Sequence, residues 1–131
     1  MSANKIEQVQ CPPVTALVIS LPADEVAGHE PLLNMLASGH FPELSAIILV
    51  ARAAPLGQKV EPEATVLAAR YQSMATQRGL KLMICGQAAD HYGLREAAAR
   101  GRGVELTGFM ELAALLESEA VRAGRERVLV W

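Results

Sequence analysis

Two segments, residues 14–21 (VTALVISL) and 44–51 (LSAIILVA), are almost continuously apolar and rich in β-branched residues. They constrain the fold more than any other feature of the chain. A strand with one wet face alternates polar and apolar residues, whereas an unbroken apolar run marks a parallel strand buried on both faces. Parallel neighbours cannot be joined by tight hairpins and need crossover segments, usually helices.

The intervening sequence meets that need. Pro31 suits the first turn of a short helix carrying Leu32, Met35 and Leu36 on one side, which Gly39 ends. Residues 52–60, with Pro55 and Gly57, read as a loop. Glu61-Pro62-Glu63 opens a longer helix in which Ala64, Leu67, Ala68, Tyr71, Met74 and Ala75 recur at helical steps, and Arg78-Gly79 closes it. A third strand follows at 80–85 (LKLMIC). Beyond it come a short helix over 86–92 ending at Gly93, a charged Ala-rich helical segment over 94–100, and a short strand at 104–107. A helix with Phe109, Leu112, Ala113 and Leu116 on one face precedes a last strand at 127–131 (RVLVW).

Strands alternating with helices predict a three-layer α/β sandwich of flavodoxin-like type, with a five-stranded, mostly parallel sheet in the order 2-1-3-4-5. A chain of 131 residues suits one domain, here residues 14–131 behind a polar N-terminal arm of residues 1–13. With 22 alanines, 17 leucines and only 4% aromatics, the core is aliphatic.

Charge excludes some functions. Twelve basic against 14 acidic residues, net −2, leave no electrostatic footprint for nucleic acid and no polybasic patch for an anionic membrane. No apolar run is long enough to span a bilayer, and the N-terminus lacks a signal-peptide pattern. The expectation is a cytoplasmic protein whose two thiols, Cys11 and Cys85, stay reduced. No pattern of soft ligands marks a zinc site, and His29 and His40 show no ligand spacing, so neither metal nor other cofactor is expected.

In the predicted order, chemistry gathers beyond the C-terminal strand ends, at the switch point between strands one and three. Cys85 is the last residue of strand three. Gly86 and Gln87 begin the next helix, where unpaired backbone N–H groups favour a thiolate or persulfide anion, and Gly86 lets a sulfur acceptor approach closely. A cysteine in this position can equally pack as a small inert hydrophobe.

Other uses of the same fold fit less well. A flavin phosphate needs a small-residue loop after strand one, and this chain places Asp24 and Glu25 there. A phospho-receiver domain needs an aspartate where Cys85 stands. No cation follows the cysteine in CGQAAD, so a rhodanese-like cradle is absent. His91, at about 100° per residue on the helix, points away from Cys85 and makes a poor general base. Cys11 reads as an incidental thiol of the arm, Arg95, Arg100 and Arg102 as a solvated basic face, and Trp131 as an edge or interface residue.

The stretch QRGLKLMICGQAADHYGL resembles the DsrE/TusD family of sulfur-relay proteins: Gly79, an apolar strand, Cys85 six residues on, and Gly93 eight further. The likeness extends through GVELTGFMELAALL and RVLVW, and back through both early strands. It implies a persulfide carrier, with Cys85 accepting sulfur from a TusA-like donor and passing it to the C-terminal cysteine of a TusE/DsrC-like acceptor. Such a step serves tRNA thiolation or sulfur oxidation, usually from a homo- or hetero-oligomer such as a trimer or hexamer. The loops PADEVAGHE and ARAAPLGQKV depart from the TusD-like pattern, which is smaller in residue size at the first and aromatic at the second. The alternative is an oligomeric binding or scaffold protein of the same fold with an inert Cys85, in which Asp24 and Glu25 discourage an anionic persulfide.

Overall fold

The computed structural model describes residues 12–60 and 66–131. Cys11, nearly all of the expected N-terminal arm and the Glu61-Pro62-Glu63 helix start lie outside those residues. The elements are β1 (Val14–Ile19), α1 (Val26–Ala37), β2 (Ala46–Leu49), a 3₁₀ segment (Ala51–Gly57) and α2 (Val66–Arg78). They continue with β3 (Lys81–Cys85), α3 (Gly86–His91), a 3₁₀ turn (Ala97–Ala99), β4 (Glu105–Thr107), α4 (Phe109–Leu116), α5 (Glu119–Arg122) and β5 (Arg127–Val130).

All four strand pairings are parallel, and the sheet runs β4-β3-β2-β1-β5. The flavodoxin-like α/β sandwich is therefore present, but the strand order is not the 2-1-3-4-5 expected from sequence. That order makes β2 an edge strand, yet Ile47, Ile48 and Leu49 are fully buried. An edge leaves backbone groups and side chains open to water. The strands that do occupy the edges are the ones that tolerate it: three-residue β4, and β5 with Arg127 and Val130 exposed.

The order also dictates the layers. From β1 to β4 the chain steps steadily in one direction, and right-handed crossovers put the intervening helices on one face; the return from β4 to β5 puts α4 and α5 on the other. The packing agrees. Leu17, Ile19, Ile47, Leu49, Leu82 and Ile84 face α1 and α2, where they meet Leu32, Leu33, Leu36, Leu67, Tyr71 and Met74 in the main core. The alternate residues Ala16, Val18 and Ile48 form a smaller cluster against Leu112 and Leu115 of α4.

Helix boundaries differ from expectation in two places. The first helix starts at Val26, so Pro31 lies inside it rather than in its first turn; the N–H that proline lacks is needed only from the second turn onward, and the burial of His29, Leu32, Leu33 and Leu36 holds the helix despite that loss. Residues 94–100 form only the short 3₁₀ turn. There the Arg100 guanidinium donates to the carbonyls of Leu94 (3.3 Å) and Arg95, doing the work that helical N–H groups would do, and to that of Val104 (3.0 Å) beyond the segment. The expected loop after β2 is mostly the 3₁₀ segment. It is fastened by Gln72, whose amide donates to the Leu56 and Gln58 carbonyls at 3.1 and 2.7 Å.

Candidate active site

The sheet register aligns Ile19, Leu49 and Ile84 across β1, β2 and β3, so the next residues along each chain, Ser20, Val50 and Cys85, emerge together at the C-terminal rim. Cys85 is a half-buried free thiol, paired in register with Thr107 of β4. It leaves β3 with φ −59° and ψ 132°, and α3 starts at once with Gly86. The turn is braced from outside: Arg95 forms an ion pair with Asp90 and donates to the Gly86 carbonyl at 3.4 Å. The Arg95 hydrogen bond to Asp90 holds the Asp90 carboxyl below its usual range. Gly93, at φ +69°, follows α3 in the left-handed conformation that glycine adopts without strain.

Cys85 opens into a cavity of about 600 Å³. The cavity is lined by Val18 and Val50 from the strand ends and by Leu112 of α4. α3 and its C-terminal cap contribute Gln87, Ala88, His91 and Tyr92, positions that share one side of a helix. Of the three residues singled out from sequence, Cys85 and Gln87 line this cavity, and Gly86 forms the turn between them. His91 was expected to point away from Cys85. Instead it lines the same cavity, because Cys85 precedes the helix and the 100° rule does not extend back into the strand; no hydrogen bond joins it to the thiol.

Sequence reasoning missed Arg52. No cation follows Cys85 in the chain, but the sheet brings one from the 3₁₀ segment after β2 into the lining. Its neighbour Ala51 has φ +49°, a left-handed value that costs a residue with a Cβ about 1 kcal/mol or more. The Arg52 carbonyl accepts from the Ala23 N–H at 3.0 Å, tying the loop after β1 to the segment after β2. Arg52 and Tyr92 also border an adjoining cavity of about 290 Å³ with Ala23, Asp24 and Pro55. The only signal for Arg52 in the sequence is its place just past a fully buried strand, where parallel sheets present functional groups.

The remaining histidines and aromatics have structural places. His29 is fully buried, 2.7 Å from the Tyr71 hydroxyl through Nδ1 and 2.9 Å from the Pro22 carbonyl through Nε2. A carbonyl only accepts, so in neutral His29 the Nε2–H donates to Pro22 and Nδ1 accepts from Tyr71. Burial raises the Tyr71 phenol above its ordinary range. His40 is exposed. Trp131 braces the same region, its indole N–H donating to the Gly28 carbonyl at 3.0 Å while its own carbonyl accepts from Ser20 and Leu21. Among the described residues no three His, Cys, Asp or Glu side chains gather as a metal-binding set. No helix there is long and apolar enough to cross a membrane.

The family model of the DsrE/DsrF-like family matches residues 14–121, most of the chain. The chain belongs to that family. Among solved structures, this DsrE/DsrF-like chain is similar to the YchN protein of E. coli, with a TM-score of 0.64 over 90% of this chain and 99% of that one, at 17% identity. That likeness is one of fold. No curated protein matches the sequence.

Proposed function

We propose that this DsrE/DsrF-like protein is a sulfur carrier that holds a sulfane sulfur on Cys85 as a persulfide and passes it on. The observation that carries the reading is the thiol's position: it ends a central strand, is half-buried, and opens into a cavity that also holds a cation. A cysteine serving only to fill space has no need of such an opening. In the step itself, the Cys85 thiolate attacks the outer sulfur of a donor persulfide. The new S–S bond forms as the donor's own S–S bond breaks, and the donor thiolate leaves with the electron pair. Backbone N–H groups of Gly86 and Gln87, at the start of α3, are our candidates for holding the sulfur anion.

On this reading the donor is a TusA-like protein and the acceptor a TusE/DsrC-like protein, met by a homo- or hetero-oligomer in the reducing cytoplasm. The loops over 22–30 and 52–60 border the docking groove, since residues from both line the cavities beside Cys85. The test is intact-protein mass after incubation with inorganic polysulfide, in wild type, Cys85→Ser and Cys11→Ser. A reductant-sensitive gain of one sulfur atom in wild type and Cys11→Ser, and none in Cys85→Ser, is the expected result. A wild type that gains no sulfur where a known carrier is loaded would leave the protein as a binding member of its family, with an inert Cys85.

A further inference from the structure

Three arginines of the described surface have carboxylate partners: Arg70 with Glu30, Arg95 with Asp90 and Arg125 with Glu119. Arg52, like Arg78, Arg102 and Arg122, has none among the described residues and makes no side-chain hydrogen bond there, but of these four it alone lines the Cys85 cavity. It nonetheless occupies a backbone position held against strain at Ala51 and fastened by the Ala23 N–H. Arg52 is exposed and lines the same cavity as a thiol, so its charge is open to an anion that arrives from outside.

We infer that Arg52 gives the Cys85 cavity a preference for anionic sulfur species, both the anionic sulfane donor that approaches and the Cys85 persulfide anion that results. The inference rests on the carrier reading for its biological meaning, although the electrostatic claim stands on the cavity alone. From sequence Asp24 reads as an obstacle, an acid in the loop beside the strand end. The structure puts it in the adjoining cavity, with Arg52 lining both. Arg52 thus borders both the cavity lined by Asp24 and the cavity of the thiol.

Sulfur balance assigns Arg52 its role. When the thiolate attacks a donor R–S–SH, the outer sulfur moves to Cys85, R–S⁻ departs with the electron pair, and the transferred S–H ionises to Cys85–S–S⁻ with its proton passing to solvent. The sulfane sulfur keeps its oxidation state, so no oxidant or reductant is consumed. The product carries its charge one atom further into the cavity than the thiolate did.

The decisive measurement is the ratio of alkylation rates at Cys85 for iodoacetate, an anion, and iodoacetamide, its neutral counterpart, read by mass spectrometry in a Cys11→Ser background. For any two unit charges about 6 Å apart in a water-like dielectric, the Coulomb energy amounts to a factor of about three, which is the scale expected here. The ratio should fall about threefold in Arg52→Gln, be retained in Arg52→Lys, and rise in Asp24→Asn, with all differences shrinking at high salt. A merely structural Arg52 would slow or speed both reagents alike. An unchanged ratio in Arg52→Gln, or an equal fall in Arg52→Lys, overturns the inference. Polysulfide loading is then followed in the same variants. A wild type that takes no sulfur yet shows the charge-dependent ratio refutes the carrier reading and leaves the selectivity of Arg52 standing.

Discussion

Tyr71→Phe removes one oxygen atom from the middle of the protein, and the structure sets what that costs. Tyr71 is fully buried, and its hydroxyl lies 2.7 Å from Nδ1 of the equally buried His29. The ring stays, so no cavity larger than a hydroxyl is left. The His29 Nδ1 then has no donor in a region where every buried side-chain polar atom among the described residues is otherwise satisfied. Leaving one buried acceptor unsatisfied costs about 1–3 kcal/mol, so we expect a loss of about 2 kcal/mol. For a domain of 131 residues the unfolding entropy near the midpoint is about 0.28 kcal/mol/K, and the midpoint should fall by about 7 °C. The assay is thermal and urea unfolding of wild type, Tyr71→Phe, His29→Leu and the double variant. In the His29→Leu background the Tyr71 hydroxyl is itself the orphan, so the same Tyr71→Phe change should become neutral or stabilising by about 1 kcal/mol. An equal cost in both backgrounds would refute the hydrogen-bond argument, because it would trace the loss to packing alone.

Two further expectations concern the surface and the core. Arg70 lowers the Glu30 carboxyl from its ordinary value of 4.5 chiefly through a hydrogen bond, so the pair stabilises the fold above that pH and loses its effect as pH falls through the lowered value. The gap between wild type and Glu30→Gln in urea midpoint should be steady near neutrality and close in acid; a gap that widens in acid contradicts the assignment. Gly57→Ala places a Cβ 2.6 Å from Cδ1 and 2.8 Å from Cγ1 of Ile84, and 3.2 Å from Leu49. Overpacking of this kind costs about 1–3 kcal/mol, and Ile84→Val, which removes Cδ1, should recover part of it in a denaturation assay.

How much of this was legible beforehand depends on the range of the interactions involved. The apolar runs of β1 and β2, the periodic face of α2 and the glycines that end the helices are local features, and each appears where its residues indicate. Cys85 was legible too, because the end of a strand and the start of a helix lie side by side in the chain. The segment 94–100 was not: its alanines favour helix, but the Arg100 side chain satisfies the Leu94 and Arg95 carbonyls from a different direction. The strand order differs from the expected 2-1-3-4-5 because a fully apolar β2 belongs inside the sheet and a three-residue β4 at its edge.

The site divides along the same line. By itself the sequence determined that this is a parallel α/β domain with a cysteine at the end of its third strand, because strand periodicity and helix starts are written in neighbouring residues. Only the tertiary structure decided what faces that cysteine. Arg52 comes from the 3₁₀ segment after β2, 33 positions earlier in the chain, and Leu112 from a helix on the far side of the sheet. They meet Cys85 because parallel register and right-handed crossovers bring the strand ends to one rim, and such long-range pairing leaves no periodic mark on the chain.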